Sequence, residues 1–179
     1  DFMVQSHVGK LQIDARSLAV PTADVDQEER KKRLLNYIEV GVTVASLAQP
    51  YKGIDVLQRA WADLGVAKRG WRLVIAGPIH DEHLVDRDAE GVEFVGALPH
   101  DELMALLDEA LVAVLPSREE AMPMFILEAL ARRCCVISTD VGGIEAVLRG
   151  GAGVVVPPGD AGALAGALEP IGRRGQAPV

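Results

Sequence analysis

The stretch LVAVLPSREEAMPMFILEALARRCCVISTDVGG, residues 111–143, decides the fold. Its first residues, 111–115, form an apolar run that predicts a buried strand. Pro123 suits the first turn of a helix, because its missing N–H is no loss there, and residues 125–131 continue that helix. Residues 134–138 predict the next strand, which the glycines at 142 and 143 end. The stretch is therefore a strand–loop–helix–strand unit, and the helix N-terminus facing its loop is a place where an anion can bind.

Two carboxylates mark this unit, Glu120 before the helix and Glu128 within it, with seven residues between them. At a rise of ~1.5 Å per residue, Glu128 lies roughly 7–8 Å along the axis from Pro123, so a diphosphate at the helix start would have one carboxylate near each end. Apolar residues flank Glu128, and a charge there is costly unless a group such as a ribose diol donates hydrogen bonds to it. Alternatively, Glu128 faces solvent and Glu119 and Glu120 only favour the helix dipole, which is the commoner case for these residues taken alone.

The rest of the chain alternates between the same two kinds of element. Apolar runs predict strands at residues 40–47, 71–76, 92–95 and 153–156. Apolar residues at helical spacing predict helices at 53–64 and 103–111, a short polar helix is expected at 79–88, and further helices are expected at 144–148 and 161–168. Apolar runs without in–out alternation indicate a parallel sheet covered on both faces. We therefore expect an α/β fold, a doubly wound Rossmann-like parallel sheet of about six strands. Residues 1–36 are expected to be an N-terminal lead-in or linker, with a charged helix or linker at 26–36, and residues 37–179 the domain.

The polar loops that follow the strands predict a site. In doubly wound sheets, ligands bind outside the carboxyl ends of the strands. The loops expected at that edge are residues 48–52, 78–81, 97–101, 117–123 and 139–143. Lys52, Glu120 and the pair Gly142 and Gly143 are therefore expected to lie on one edge.

Composition excludes several classes of protein. The 179 residues are 49% hydrophobic, which suffices for one core, and the net charge of −8 disfavours nucleic acid as a partner. No apolar run approaches the ~20 residues that span a bilayer, and no signal peptide begins the chain. The two cysteines, Cys134 and Cys135, are neighbours in a strand-like run, which is typical of reduced core residues in a cytosolic protein.

Two common cofactor motifs and a metal site are also disfavoured. The segment after the first regular strand lacks the glycines of a dinucleotide-binding loop, and the chain has no Walker A sequence. His80 and His83 stand beside Asp81 and Glu82, but a third separated ligand group is missing. We expect a solvated face there and no metal.

Five segments carry a resemblance to a known family. They are ASLAQPYKGIDVLQRAW (45–61), WRLVIAGP (71–78), VEFVGALPHDEL (92–103), VLPSREEAMPMFILEALARRCCVISTDVGG (114–143) and GVVVPPGD (153–160). In this order, over residues 40–168, the chain resembles the nucleotide-sugar-binding, C-terminal half of family-4 retaining glycosyltransferases of the two-domain GT-B fold.

The resemblance implies a role for each of several residues. Glu128 matches the glutamate that holds the ribose hydroxyls of the donor, and Glu120 matches the one that contacts the transferred sugar. Lys52 matches the phosphate-binding lysine, which steadies charge on the leaving diphosphate. Met124 and Phe125 hold the positions whose backbone amides bind the diphosphate. Lys52 and Glu120 are thus the catalytic candidates, and the others are candidates for donor binding.

Two further positions complete the implied donor site, and several depart from the family pattern. Leu98 lies where the backbone usually meets the nucleobase, and Ser46 lies where the family often has an arginine. Arg133 and Cys135 replace the usual glycine and proline after the helix. Ser46 leaves Lys52 as the cation expected at the phosphates.

The resemblance implies the donor-binding domain of a retaining glycosyltransferase. Such an enzyme transfers a sugar from a nucleoside-diphosphate sugar, of UDP or GDP type, to an acceptor hydroxyl, with no tightly bound cofactor. The partner it implies is an N-terminal acceptor-binding domain of the same enzyme, without which this domain is expected to be inactive. A cytoplasmic protein, with peripheral membrane association of the full enzyme, fits this interpretation. The alternatives are a non-catalytic sugar-nucleotide-binding or interaction domain, and a sugar-nucleotide epimerase.

Overall fold

A computed structural model describes residues 4–5, 10–11, 42–45, 50–121 and 123–173, with side chains at 51–121 and 123–170. The helix or linker predicted at 26–36 lies outside these residues. A short antiparallel pair, β1 (Val4–Gln5) and β2 (Lys10–Leu11), forms a sheet of its own. The main sheet consists of β3 (Val42–Ala45), β4 (Leu73–Ala76), β5 (Val92–Gly96), β6 (Val112–Leu115), β7 (Cys135–Thr139) and β8 (Gly153–Val156).

Helices alternate with these strands. They are α1 (Ile54–Leu64), α2 (His100–Glu109), α3 (Met124–Ala131), α4 (Ile144–Leu148) and α5 (Ala161–Arg173). Within the described part of the chain, short 3-10 turns lie at Pro50–Lys52, Val66–Arg69 and Glu82–Leu84. None of the helices that the structure describes combines the length and the apolar character needed to cross a membrane.

The main sheet is parallel and doubly wound. Its strand order is β5-β4-β3-β6-β7-β8. The chain therefore runs outward from β3 to β5, crosses back to β6 on the other side of β3, and runs outward again to β8. The Rossmann-like sheet of about six strands is confirmed. The order reverses between β3 and β6, and a crevice opens at such a switch point beyond the carboxyl ends of the strands.

Each face of the sheet packs against its own set of helices. On one face, α1 and α5 cover alternate strand residues, and the buried side chains include Leu57, Trp61, Ile75, Val114 and Leu164. On the other face, α2, α3 and α4 cover the intervening residues, with Met104, Leu107, Ala113, Ile126, Val136 and Ile144 buried. Cys134 belongs to this second core. Burial raises the pKa of its thiol to about 12, so this thiol is unreactive at neutral pH.

One predicted helix is wrong. Residues 79–88 form only the 3-10 turn Glu82–Leu84, which the Asp81 side chain caps by accepting the His83 backbone N–H. Immediately after it, the Gln58 side chain of α1 donates to the carbonyl of Asp86 at 2.7 Å and accepts its N–H at 3.0 Å. These tertiary bonds use the backbone groups that a longer helix would need for itself.

The turn after α3 adopts a left-handed conformation at Arg133, whose φ is 65°. This conformation crowds the Cβ of an ordinary residue against its own backbone, and glycine relieves that crowding. The geometry therefore suits the glycine that the family resemblance leads us to expect at this position.

Candidate functional site

Lys52 and Glu120 meet at the switch point of the sheet. Lys52 ends the 3-10 turn Pro50–Lys52 that follows β3, and Glu120 lies in the loop that follows β6. The ammonium nitrogen of Lys52 is 2.5 Å from Oε1 of Glu120, and the side chains are only 15% and 11% exposed. The Ser117 hydroxyl donates to the same carboxylate oxygen at 2.8 Å. An amine and an acid are thus held together, as the sheet-edge argument predicts.

The two loops that carry this pair are also joined through their backbones. The N–H of Arg118 donates to the carbonyl of Tyr51 at 2.5 Å. Gly53 has a φ of 69°, and a Cβ at this position would lie 2.0 Å from the carbonyl oxygen of Pro116. A side chain at residue 53 would therefore push the two loops apart.

An ion pair adds a second bridge between the same loops. The Arg118 guanidinium donates to both carboxylate oxygens of Asp55, at 2.9 and 2.8 Å. Asp55 lies in the first turn of α1, where it also accepts a bond from Arg59 at 3.2 Å. The hydrogen bond from Arg118 is the main reason that the pKa of Asp55 is lowered, and the same bond raises the pKa of Arg118.

The loop that follows β7 supports the Glu120 loop from the other side. The Thr139 hydroxyl donates to the carbonyl of Ser117 at 2.5 Å. Gly142 has a φ of 57°, and a Cβ there would lie 2.1 Å from the carbonyl oxygen of Glu120. Only glycine permits this approach, so the loops after β3, β6 and β7 converge around Glu120.

The N-terminus of α3 faces the same convergence. Pro123 precedes the helix, and neither a capping side chain nor an acidic residue of the first turn occupies its start. The Phe125 side chain is buried beneath the helix, which anchors the first turn, whereas the Met124 side chain is 61% exposed. The N–H of Ile126 donates to the carbonyl of Pro123 at 3.2 Å, whereas the N–H groups of Met124 and Phe125 lack partners within the helix and, together with the helix dipole, favour an anion.

Glu128, on α3, faces the loop that follows β5. Its carboxylate oxygen is 3.8 Å from Nδ1 of His100, the first residue of α2, and its side chain is 26% exposed. Leu98, two residues before His100, is half-buried in that loop. Glu128 is therefore directed to the carboxyl edge of the sheet rather than fully into solvent.

Ser46 lies outside the described residues, so its place relative to Lys52 is not described. The side chains of residues 51–121 and 123–170 contain no group of three or more His, Cys, Asp or Glu residues arranged to hold a metal ion. Asp81 bonds to the backbone of His83, which is the geometry of a cap rather than a metal site.

Sequence reasoning missed four residues of this arrangement: Ser117, Asp55, Arg118 and Thr139. The sequence places Ser117 only as the first residue of the polar loop 117–123 and gives it no role, although it stands three residues before Glu120. The opposite charges of Asp55 and Arg118 gave no signal, because their contact depends on β3 and β6 being neighbours in the sheet. The approach of His100 to Glu128 was missed for a similar reason, since the two lie on different helices.

Comparison with known proteins identifies the family. The model of the family "Glycosyl transferases group 1" matches residues 39–171, which is most of the chain. The chain belongs to the group 1 glycosyl transferases. Members of this group use nucleotide-sugar donors.

Two curated relatives illustrate how this glycosyl transferase chain compares with named enzymes. It is 38% identical over 127 residues to the glycogen synthase of Mycobacterium tuberculosis, covering 67% of this chain and 31% of that protein. It is 30% identical over 129 residues to a lipopolysaccharide core biosynthesis mannosyltransferase of Rhizobium leguminosarum, covering 66% of this chain and 37% of that protein. The chain thus spans about a third of the length of these relatives.

Solved glycosyl transferase structures share the fold. The sucrose-phosphate synthase of Thermosynechococcus elongatus superimposes with a TM-score of 0.60 at 26% identity, over 88% of this chain and 44% of that one. A UDP-forming alpha,alpha-trehalose-phosphate synthase of Burkholderia xenovorans superimposes with the same TM-score of 0.60 at 17% identity, over 85% and 39% of the two chains. The second similarity is one of fold alone.

Proposed function

We propose that this chain is the donor-binding domain of a retaining glycosyltransferase, which transfers a sugar from a nucleoside-diphosphate sugar to an acceptor hydroxyl with its anomeric configuration kept. The observation that carries the proposal is the contact of Lys52 with Glu120 at the switch point, beside the start of α3. A cation, an open helix start and a carboxylate at one crevice suit a ligand that joins a diphosphate to a sugar.

The diphosphate lies between Lys52 and the first turn of α3 in this proposal. The Lys52 ammonium has three N–H donors and its contact with Glu120 uses one, so two are available to phosphate oxygens. The backbone amides of Met124 and Phe125 supply the other donors. As the bond to the sugar breaks, negative charge grows on the departing diphosphate, and donors held in place stabilise it.

The carboxylates hold the two ends of the donor. Glu128 accepts hydrogen bonds from the ribose hydroxyls, and the backbone at Leu98 contacts the base. Glu120 contacts the sugar that is transferred, and its bonds from Lys52 and Ser117 fix its orientation. Ser46 provides no cation where the family resemblance leads us to expect an arginine, so Lys52 carries more of the phosphate binding here.

The remaining parts of the enzyme lie beyond this domain in our proposal. We place the lead-in or linker at residues 1–36 and the donor domain at 37–179. The acceptor site and further catalytic groups come from an N-terminal domain, and the enzyme acts in the cytoplasm on a UDP- or GDP-linked sugar. This division suits a chain that spans about a third of the length of its curated relatives.

A thermal-shift panel tests the proposal. The protein is heated with millimolar UDP, GDP, ADP, NAD or inorganic pyrophosphate, because a ligand at 100 times its Kd adds about 2.7 kcal/mol to stability. We expect UDP or GDP to raise Tm more than pyrophosphate does. Stabilisation by NAD alone would refute the donor site, and the absence of any stabilisation would favour an interaction domain.

A further inference from the structure

We infer that Asp55 and Arg118 form a positioning pair. The pair keeps the loop after β3, which carries Lys52, aligned with the loop after β6, which carries Glu120, while Lys52 binds the donor. The inference rests on the proposed function, because it assigns the pair a duty during diphosphate binding. It begins from the bidentate contact between the two side chains, at 2.9 and 2.8 Å.

Two ion pairs join the same two segments, and they are reversed in charge: the first segment supplies the cation Lys52 to one pair and the anion Asp55 to the other. Lys52 and Asp55 lie on either side of Gly53, and Arg118 and Glu120 lie two residues apart on the facing loop. In the observed register, each cation meets an anion. A register that placed Lys52 against Arg118 would bring like charges together, so the two pairs jointly select one alignment of the loops.

The Lys52–Glu120 pair cannot hold this alignment by itself during donor binding. A diphosphate shares the Lys52 ammonium with the Glu120 carboxylate, and dividing its charge between two anions weakens that bridge at the moment when the loops must stay aligned. The Asp55–Arg118 pair joins the loops without using the Lys52 ammonium. Donor binding at Lys52 therefore takes no hydrogen bond from this pair.

The geometry assigns Arg118 a positioning role rather than a phosphate contact. Both of its terminal nitrogens donate to Asp55, and its backbone N–H donates to the Tyr51 carbonyl, so side chain and main chain both point across the interface between the loops. Asp55 also accepts from Arg59, but both residues of that contact lie on α1 and it bridges no loops. Arg59 therefore offers a matched control.

The experiment measures binding of UDP and of inorganic pyrophosphate by titration calorimetry. Asp55→Asn and Arg118→Gln should each weaken both ligands by roughly three- to tenfold, as expected for residues coupled to a binding group. Arg59→Gln removes a cation from the same carboxylate and should change Kd by less than about twofold. Thermal unfolding of each variant shows whether the fold is intact.

Three outcomes decide whether the pair acts through Lys52. In a Lys52→Ala background, Arg118→Gln should cause no further loss, whereas an equal loss would indicate a general structural effect and overturn the inference. The exchanged pair D55R/R118D should not restore wild-type binding, because a second cation at position 55 and a second acid at position 118 let either register pair opposite charges, and full recovery would overturn the register argument. Tighter binding by Asp55→Asn would show that Arg118, once released, contacts phosphate itself, and would also overturn it.

A measurement without ligand separates this inference from the proposed function. Amide hydrogen exchange at residue 118 reports the backbone bond to Tyr51, and it should be several-fold faster in Asp55→Asn but unchanged in Arg59→Gln. Unchanged exchange in Asp55→Asn would refute the positioning pair even if UDP binds. If no nucleotide binds the wild type but exchange responds as expected, the proposed function fails and the register role of the pair stands.

Discussion

The Lys52 ammonium touches the Glu120 carboxylate, at 2.5 Å, although 68 positions separate the two residues in the sequence. The contact forms because β3 and β6 are neighbours at the point where the strand order reverses. The loops after these strands therefore share one crevice, and both side chains are largely removed from water there. The attraction between two opposite charges is stronger where water is largely excluded, but removing each charge from water is costly, and either charge left there without its partner would be costlier still.

Replacing Lys52 tests the phosphate site most directly. A hydrogen bond to a charged group is worth ~1.5–3 kcal/mol, so Lys52→Ala should weaken UDP and pyrophosphate binding by roughly 10- to 150-fold. Titration calorimetry measures both affinities. Lys68→Ala, which removes an exposed lysine elsewhere, serves as the control. An unchanged affinity for pyrophosphate in Lys52→Ala would remove Lys52 from the site.

Replacing Glu120 should have opposite effects on binding and on transfer. Glu120→Gln removes a negative charge that competes for Lys52, so pyrophosphate affinity should rise by roughly three- to tenfold. Sugar transfer by the full enzyme should fall, because the carboxylate proposed to contact the sugar is lost. Glu119→Gln, an exposed neighbour, should change neither property. Weaker pyrophosphate binding in Glu120→Gln would show that the carboxylate orients the Lys52 ammonium toward phosphate instead of competing with phosphate for it.

Glu128 should discriminate the nucleoside from the diphosphate. Glu128→Gln should weaken UDP binding by roughly tenfold and leave pyrophosphate binding unchanged, because the lost acceptor bonds only the ribose. The side chain is 26% exposed, so the fold should tolerate an amide there. The comparison is made by calorimetry, with Glu102→Gln on α2 as the control. An equal loss for both ligands, or unfolding of the variant, would contradict a ribose contact.

Apolar runs and their spacing were enough to predict the sheet, because each of its six strands comes from a segment rich in apolar residues. They could not give the strand order, which depends on how the helices pack on the two faces. The helix predicted at 79–88 failed for a related reason. Its polar sequence has little apolar face to pack, and the bonds between Gln58 and Asp86 take the backbone elsewhere.

The candidate site also has a part that the sequence predicts and a part that depends on the strand order. Lys52 and Glu120 were predicted to converge because each follows a strand, and loops after parallel strands share an edge. The pairing of Asp55 with Arg118 could not be predicted, since opposite charges are frequent in a chain with 26 acidic and 18 basic residues. Only the adjacency of β3 and β6 selects this pair from the many that charge alone would permit.

The ion pair of Asp55 should make stability depend on pH. A carboxyl whose pKa is lower in the folded chain than in the unfolded chain stabilises the fold above the unfolded value, about 3.9. That contribution is lost as the pH falls through the folded pKa, which the bond from Arg118 lowers. Asp55→Asn should therefore cost roughly 0.5–1 kcal/mol at pH 7. Below the folded pKa it should cost less.

Urea unfolding of wild type and Asp55→Asn between pH 7 and pH 3 measures this difference. The difference in the free energy of unfolding between wild type and Asp55→Asn should stay constant in the neutral range. It should become smaller on the acid side. Asp63→Asn, an exposed position on the same helix, should show no such narrowing. A gap that widens as the pH falls would mean that the Asp55 carboxylate is not stabilised by its partners.

The turn after α3 offers a stabilising substitution. Arg133 has a φ of 65°, a conformation that strains any residue with a Cβ. Its side chain is exposed, so it is not needed for packing. Arg133→Gly should relieve ~1–2 kcal/mol of strain and lose part of this gain to the greater freedom of the unfolded chain. We expect a net stabilisation of about 0.5–1 kcal/mol in urea unfolding. Arg133→Ala keeps the Cβ and should give no gain, so equal stabilisation by both variants would trace the effect to the lost charge rather than to the backbone.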